Sequence, residues 1–280
     1  MYRLTCVIDD KASDPFRAEH GFAVWVESPD GHMLFDTGGS GEVLLHNAQH
    51  LHLDLAQADA VVLSHAHDDH TGGLAGVLPL LRPGTPLYAH PTLFRPRYSE
   101  RDGKPQSRGI KLSQETLAAR LDLRLSAEPQ EVLPGIWTTG EIVARPEPEG
   151  RSVRHSIVQD GQHIPDPYQD DFSLVLNMEN AVFLLCGCCH AGLLNTFAHM
   201  QARWPHPVIG VGGGTHLNSA DEATLSRTVD TLASIESLQI AWLGHCSGDT
   251  FMARMRQALG AARFRRCQTG DSIDILTPGV

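Results

Sequence analysis

The segment VVLSHAHDDHTGG, residues 61–73, places three histidines and two aspartates within six residues, directly after an apolar run. Burying imidazole and carboxylate groups costs free energy unless they form hydrogen bonds or bind an ion, so such a cluster indicates a binding site. His65 and His67 alternate, so a loop leaving a strand can point both rings at one ion, while Asp69 and His70 follow within one turn. Imidazole nitrogen and carboxylate oxygen are suitable ligands for zinc, iron or manganese. The spacing therefore predicts a metal-binding loop.

The composition is that of a loop-rich globular protein. With 280 residues and 41% hydrophobic content, the chain is long enough for one large core or two modest domains. The formal net charge of -11 argues against general binding of nucleic acid or of an anionic membrane, which requires a basic face. We therefore expect a small-molecule substrate and neither a nucleic-acid nor a membrane partner, while no pattern indicates an oligomeric state.

The N-terminus and the cysteines bear on the cellular compartment. Asp9 and Asp10 interrupt the first apolar run before a signal-peptide core could form, and no apolar run approaches a membrane span of about 18 residues. Three of the six cysteines fall within residues 186–189, which is poor spacing for disulfides and suits a reducing compartment. These features predict a soluble, cytoplasmic protein.

Alternating strand and helix patterns in both halves predict an α/β fold with two sheets and external helices. We expect a single domain over residues 1–280, with two segments that break the rhythm. The segment at about 93–113 carries six basic residues against two acidic ones, and that at about 141–171 is interrupted by prolines. A long irregular segment in a compact domain is often a lid or binding loop, but a solvated excursion is equally consistent with the basic insert.

The pattern H-x-H-x-D-H formed by His65, His67, Asp69 and His70 resembles the signature of the metallo-β-lactamase superfamily. FDTGG at 35–39 is similar to the Asp-bearing turn upstream of that signature, and the resemblance extends over nearly the whole chain. It implies an αββα sandwich in which two mixed β-sheets are flanked by helices. It also implies one or two metal ions at one edge of the sandwich, zinc first, with iron or manganese as alternatives.

Two later segments each carry a histidine shortly after an apolar strand, LLCGCCHAG at 184–192 and AWLGHCSGD at 241–249. The resemblance implies that the further ligands are His190 and His245. Cys188 stands where hydrolases of the superfamily carry a metal-bridging aspartate, and Asp171 is the alternative bridging ligand. The neighbouring residues Cys189 and Cys246 are expected to pack beside the ligand histidines.

GCCHAG, GGGTHL (212–217) and GHCSG (244–248) together resemble one branch of the superfamily. Its archaeal members are named for 7,8-dihydropterin-6-yl-methyl-4-(β-D-ribofuranosyl)aminobenzene-5′-phosphate synthase, and most others are called metal-dependent hydrolases. The resemblance implies that His216 lies at or near the site. The residues expected to contact substrate are His216, the strand-end histidines His20 and His90, and Arg95 and Arg97 of the basic insert. The other eight histidines, including His155, are expected to be structural or exposed.

These patterns favour a metal-dependent hydrolase that directs a metal-activated water at a small anionic phosphoester, lactone or thioester, with Asp69 accepting the proton. A condensing enzyme like the synthases of the branch is an alternative, and it would need a large pocket with aromatic stacking surfaces. A non-catalytic metal-binding protein is another. A di-iron redox protein is disfavoured because the chain leaves no room for a flavin-binding domain, and no G-H-x-x-G segment supports a true β-lactamase.

Overall fold

The computed structural model describes residues 1–276 of the chain. Its strands, in chain order, are β1 (Tyr2–Ile8), β2 (Ala23–Ser28), β3 (Gly31–Phe35), β4 (Ala60–Val62), β5 (Pro86–Ala89), β6 (Arg97–Arg101), β7 (Lys104–Ser107), β8 (Asp122–Leu125), β9 (Glu131–Leu133), β10 (Ile136–Thr138), β11 (His155–Gln159), β12 (Gln162–Pro165), β13 (Ser173–Met178), β14 (Ala181–Cys186), β15 (Val208–Gly213), β16 (Ile240–Leu243), β17 (Phe264–Arg266) and β18 (Ser272–Ile275). The helices are α1 (Gly41–His50), α2 (Asp68–Thr71), α3 (Leu74–Val77), α4 (Gln114–Ala118), α5 (Leu193–Arg203), α6 (Glu222–Ala233) and α7 (Asp249–Leu259).

Two seven-stranded mixed sheets form the frame, as the sequence predicts. The first has the order β18-β1-β2-β3-β4-β5-β8, antiparallel from β18 to β3 and parallel from β3 to β8. The second has the order β17-β16-β15-β14-β13-β10-β9, parallel from β17 to β14 and antiparallel beyond. The two sheets therefore repeat the same mixture of parallel and antiparallel pairing.

The two sheets pack face to face, with helices on both outer faces. The central core joins Val24 and Phe35 of the first sheet to Leu174, Phe183 and Trp242 of the second, all at most 1% exposed. Burying a side chain of this size contributes roughly 1.5–3 kcal/mol. Separate apolar clusters pack α1, α3 and α4 on the first sheet and α5, α6 and α7 on the second. This arrangement confirms the predicted αββα sandwich.

Local sequence explains the helices beside the sheets. In α1, Ser40 caps the N-terminus by accepting the N–H of Val43 at 3.3 Å, and Leu44 and Ala48 are buried one turn apart. An N-cap hydroxyl satisfies a backbone donor that the first helical turn leaves free. Among residues 1–276, no helix is long and apolar enough to cross a membrane.

A third, four-stranded sheet of order β12-β11-β6-β7 differs from the sequence expectation. The segments at 93–113 and 141–171, which looked irregular, each supply a β-hairpin, and β6 pairs with β11 to join them. The sequence missed these strands because their exposed positions carry charged and polar residues rather than an apolar alternation. The small sheet adds a wall beside the mouth of the site described next.

Candidate metal centre

The candidate site lies where carboxyl ends of strands from both large sheets meet. Open α/β sheets bind ligands at such an edge, because the loops that follow parallel strands converge there. Strand β4 leads into the histidine loop, and β3 leads into the turn that carries Asp36. From the second sheet, β14 leads to Cys188 and His190, β15 leads to His216, and β16 leads to His245.

The histidine loop brings its donor atoms close together. Nε2 of His65 lies 3.1 Å from Nδ1 of His67, and the short helix α2 then turns His70 and Asp69 toward the same space. Oδ2 of Asp69 lies 3.8 Å from Nε2 of His70. The side chains of His65, His67 and His70 are all at most 5% exposed, so solvent does not satisfy their ring nitrogens.

The second sheet completes the cluster across the edge. Nε2 of His70 lies 3.2 Å from Sγ of Cys188 and 3.3 Å from Nε2 of His245. One ligand atom from each of His65, His67 and His190 lies within 4.8 Å of the others, and the same holds for His65, His70 and Cys188. We call this set the donor cluster; its members are His65, His67, Asp69, His70, Cys188, His190 and His245.

A second layer of hydrogen bonds orients the imidazoles. Nδ1 of His70 donates to Asp36 at 2.7 Å, and Nδ1 of His190 donates to the carbonyl of Gly150 at 2.7 Å. Nδ1 of His65 donates to the Ser64 hydroxyl, which donates in turn to Asp36, and Nδ1 of His245 contacts Asp10 at 3.1 Å. Fixing one ring nitrogen in this way leaves the other free to bind a metal.

The structure itself supports the fit of a metal ion. Nε2 of His190 is buried and has no hydrogen-bond partner among residues 1–276, although its ring lies 5.0 and 5.1 Å from the rings of His65 and His67. Buried polar atoms are almost always paired, and a metal ion held by these three imidazoles would give this nitrogen a partner. Zinc accepts nitrogen, oxygen and sulfur donors of this kind.

Burial prepares three of the imidazole donors for metal binding. It lowers the pKa of His65 and of His190 well below the ordinary value, and that of His67 to about 3. Burial alone would raise the pKa of Asp69, but the nearby His70 and His245 lower it below its usual range. The three imidazoles are therefore neutral at neutral pH, with lone pairs available, and the carboxylate is ionised.

The two candidates for the bridging position differ in their surroundings. Sγ of Cys188 lies among the donors, 3.2 Å from His70, whereas Oδ2 of Asp171 accepts the backbone N–H of Ala191 at 2.9 Å. Asp171 thereby fixes the loop that carries His190. Gly187 allows Cys188 to come this close, because a Cβ at that position would lie 2.1 Å from the Ser64 hydroxyl.

A cavity of about 450 Å³ opens over the donor cluster. Its walls include His20, whose Nε2 lies 3.4 Å from Oδ2 of Asp69, and His216, whose ring lies 4.3 Å from that of His190. Three arginines lie at its mouth, and we call them the arginine rim: Arg101, Arg108 and Arg154. Within residues 1–276, the guanidinium groups of Arg101 and Arg154 form no ion pair, and that of Arg108 is 3.7 Å from Asp68.

Three residues expected to contact substrate lie elsewhere. Arg97 is 1% exposed and is paired with Asp170 at 2.5 Å and Asp166 at 3.4 Å, so it anchors the small sheet rather than lining the cavity. Arg95 donates to the side chain of Gln169 at 3.0 Å. His90 is 4% exposed and contacts Thr92 and Glu141. The basic insert reaches the cavity instead through Arg101 and Arg108.

Sequence reasoning missed several residues of the site. His155, expected to be structural or exposed, lines the cavity with its ring 4.8 Å from that of His67 and its Nδ1 2.8 Å from the Tyr168 hydroxyl. Asp10 contacts both His20 and His245. Asp10 follows β1 at the edge that carries the donors, so its strand-end position was a usable signal. His155 offered no such signal, because its place depends on pairing of the small sheet.

Comparison with known proteins agrees with this architecture. A family model described as the metallo-beta-lactamase superfamily matches residues 17–187, which is more than half of the chain. A curated relative from Methanocaldococcus jannaschii is 28% identical over 251 residues, covering 84% of this chain and 83% of its own length. That protein is named 7,8-dihydropterin-6-methyl-4-(beta-D-ribofuranosyl)-aminobenzene-5'-phosphate synthase.

Solved structures share the fold. A metal-dependent hydrolase of the beta-lactamase superfamily superposes with a TM-score of 0.83 at 22% identity, covering 98% of this chain and 99% of its own. A zinc-bound PqqB from Methylobacterium extorquens gives a TM-score of 0.61 at 11% identity, covering 98% of this chain and 100% of its own. The superfamily is largely enzymatic and binds divalent metals. With more than half of its length matched by the family model, the chain belongs to the metallo-beta-lactamase superfamily.

Proposed function

We propose that the protein is a metal-dependent hydrolase of a small organic phosphoester. The observation that carries this proposal is the arrangement of the cavity, in which the donor cluster forms the floor and the arginine rim forms the mouth. Guanidinium groups form bidentate, charge-assisted hydrogen bonds with phosphate oxygens. A substrate that holds its reacting bond over the donor cluster can therefore present anionic oxygens to the rim.

The donor cluster supplies the metal ligands in this proposal. His65, His67 and His190 would hold one ion, while His70, His245 and Cys188 would hold a second beside it. When bound, such an ion supplies Lewis acidity, which lowers the pKa of water to about 7 and polarises a phosphoryl oxygen. Zinc is the metal that best suits this mixture of imidazole and thiolate donors.

Asp69 and the residues that line the cavity above the cluster would transfer the proton and bind the substrate. Oδ2 of Asp69 accepts the proton of the attacking water, and Nε2 of His20, 3.4 Å away, is the adjacent group that can carry a proton toward the leaving oxygen. His216 and His155 flank the same space and can donate hydrogen bonds to the substrate. Burial of the histidine donors lowers the local dielectric and strengthens the electrostatic interactions of the cluster.

Condensation of the kind catalysed by a synthase is the second candidate, and the 28% identical relative is the reason to consider it. Joining a pterin to an aminobenzene would favour flat aromatic surfaces that stack on both rings. The cavity wall formed by residues 1–276 contains histidines but no Phe, Tyr or Trp. This polar lining supports hydrolysis over condensation.

Turnover of matched substrates tests the proposal. The zinc-reconstituted full chain is assayed with a phosphomonoester, a phosphodiester, a lactone and a thioester. We expect phosphoester hydrolysis that is lost in His67→Ala together with one equivalent of metal, because a ligand is removed. Arg108→Ala should raise KM about 10-fold with little change in kcat, since it removes a charge-assisted contact.

Arg256→Ala is the control for Arg108→Ala, because Arg256 is exposed on α7 and lies outside the cavity. It should leave both kinetic constants unchanged. Turnover of the lactone or thioester alone, with no effect of Arg108→Ala, would overturn the phosphoester assignment. Formation of a product in which the pterin is joined to the aminobenzene, without hydrolysis of either substrate, would favour the condensation reaction.

A further inference from the structure

A second thiol lies against the donor cluster but outside the ligand set described above. Sγ of Cys246 is 3.5 Å from Sγ of Cys188, and both thiols line the floor of the cavity. One ligand atom from each of Cys188, His245 and Cys246 lies within 4.8 Å of the others. Because His70 contacts both Cys188 and His245, two sulfurs and two imidazole nitrogens meet at this point.

Three of the six separations between these donors are close to those around one tetrahedral ion. Zinc–sulfur bonds of about 2.3 Å and zinc–nitrogen bonds of about 2.0–2.1 Å imply S···S, N···S and N···N separations of about 3.8, 3.6 and 3.3 Å. The corresponding distances in the structure are 3.5 Å between Cys188 and Cys246, 3.2 Å between His70 and Cys188, and 3.3 Å between His70 and His245. The donors therefore need only small shifts to surround an ion.

The loops around Cys246 hold its sulfur in this position. Cys246 is 7% exposed and lies in the short 3-10 turn His245–Ser247, which Gly244 joins to β16. Gly214 packs against the sulfur, where a Cβ would come within 2.7 Å of it. The backbone N–H of His216 donates to Sγ of Cys246 at 3.2 Å, which fixes the sulfur beside the donor cluster.

We propose that Cys246 is a metal ligand and that the centre has two unlike subsites. One is an all-nitrogen subsite of His65, His67 and His190, and the other is a thiolate subsite of Cys188, Cys246, His70 and His245. Each thiol that binds releases its proton to solvent and forms one sulfur–metal bond, so no oxidant or reductant is needed. The inference rests on the proposed function only in requiring that the cluster binds metal.

The thiolate subsite has a consequence for Asp69. With four donors from Cys188, Cys246, His70 and His245, the second ion reaches the coordination number usual for zinc without a carboxylate. Oδ2 of Asp69, 3.6 Å from Nε2 of His245, is then left free to move a proton. Thiolate ligands also bias this subsite toward soft, thiophilic metals, whereas the all-nitrogen subsite retains the open position needed for substrate.

Cobalt titration of the metal-free full chain tests the inference, because thiolate-bound Co²⁺ absorbs in the near ultraviolet in proportion to the number of sulfur ligands. We expect two equivalents of Co²⁺ in the unaltered protein. Cys246→Ser and Cys188→Ser should each lose about half of the sulfur-to-cobalt absorption, since each removes one of two thiolates. The second equivalent should also bind about 10-fold to 100-fold more weakly.

Cys189→Ser is the matched control, because Cys189 is buried next to Cys188 but its sulfur contacts the Thr196 hydroxyl at 3.3 Å. It should retain the full absorption, and Cys246→Ala provides a second variant should Cys246→Ser fold poorly. Full absorption in both Cys246 variants, with complete loss in Cys188→Ser, would overturn the inference while leaving a metal centre intact. Absence of any cobalt binding to the unaltered protein would contradict the proposed function as well.

Discussion

The donor cluster and the arginine rim belong to one cavity but are built in opposite ways. Histidine donors such as His70 and His190 are at most 1% exposed, follow strands of the large sheets, and have their second nitrogens fixed by hydrogen bonds. The rim residues Arg101, at the end of β6, and Arg154, just before β11, are exposed and make no ion pair with another residue of the described chain. The cluster is therefore rigid, whereas the rim is free to adapt to a ligand.

This contrast teaches how the molecule separates chemistry from recognition. The two regions are joined by a buried path in which Arg97 of β6 pairs with Asp170, whose other oxygen accepts the N–H of Ala66 at 2.8 Å in the histidine loop. The carbonyl of Arg108 likewise accepts the N–H of Asp68 at 2.7 Å. The rim can vary its side chains without disturbing the donors, but its backbone is tied to them.

Breaking the buried path should have the largest effect. Arg97→Ala leaves the carboxylates of Asp166 and Asp170 buried without their cation, so we expect the free energy of unfolding to fall by about 3–5 kcal/mol in urea titrations. KM should rise in the same variant, because the small sheet loses its anchor. Arg97→Lys retains the charge and should lose less stability; equal losses in the two variants would show that packing rather than charge dominates.

Weakening the hydrogen bonds that orient the imidazoles should lower the metal affinity of the donor cluster without changing the arginine rim. Asp36 is fully buried and accepts hydrogen bonds from His70 and from both the backbone and the hydroxyl of Ser64. Asp36→Asn should weaken metal binding about 10-fold to 100-fold, because an amide holds His70 less well. Competition with a chromophoric chelator measures this affinity. Asp59→Asn, which alters a half-exposed ion pair with Arg82, is the control and should leave it unchanged.

Acid should lower the free energy of unfolding of the metal-free protein. Burial lowers the pKa of His67 to about 3 and that of His216 to about 4, and it also lowers the pKa of His65 and His190. Below the unfolded pKa of about 6.5 the unfolded chain binds protons that the folded cluster does not, so the free energy of unfolding falls as the pH drops from about 6.5 toward 4.

Urea midpoints of the chelator-treated protein at several pH values measure this slope. His67→Gln should make the slope shallower, because it removes one of the groups with a lowered pKa. His163→Gln, an exposed control on β12, should not change it. An equal slope in His67→Gln and the unaltered protein would contradict the assigned effect of burial on His67.

Removing one exposed rim residue should have the smallest effect. Arg154→Ala should raise KM for a phosphoester about 3-fold and leave kcat and metal content unchanged, because solvent screens an exposed charge. Arg151→Ala is the matched control on the same loop, since Arg151 pairs with Glu149 at 2.9 Å and does not line the cavity. A loss of metal in Arg154→Ala would erase the distinction between the rim and the cluster.

Much of the donor cluster could be predicted because its residues are local in sequence. His65, His67, Asp69 and His70 lie within six residues of one loop, and His190 and His245 each follow an apolar strand. The αββα fold was equally accessible from the apolar strand patterns together with the family resemblance. In contrast, the small sheet has polar and exposed strands, so neither β6 nor β11 carried an apolar alternation that could be recognised.

The sequence by itself determined the family, the two-sheet frame and most of the donor cluster, because apolar periodicity and the spacing of one loop are local properties. Only the tertiary structure decided which partners surround each group. It buried Arg97 in an ion pair, turned Arg108 and His155 toward the cavity, and brought Cys246 to 3.5 Å from Cys188, 58 residues away. The physical reason is that burial, ion pairing and donor separation depend on how distant strands pack at the shared edge, and no local pattern records that packing.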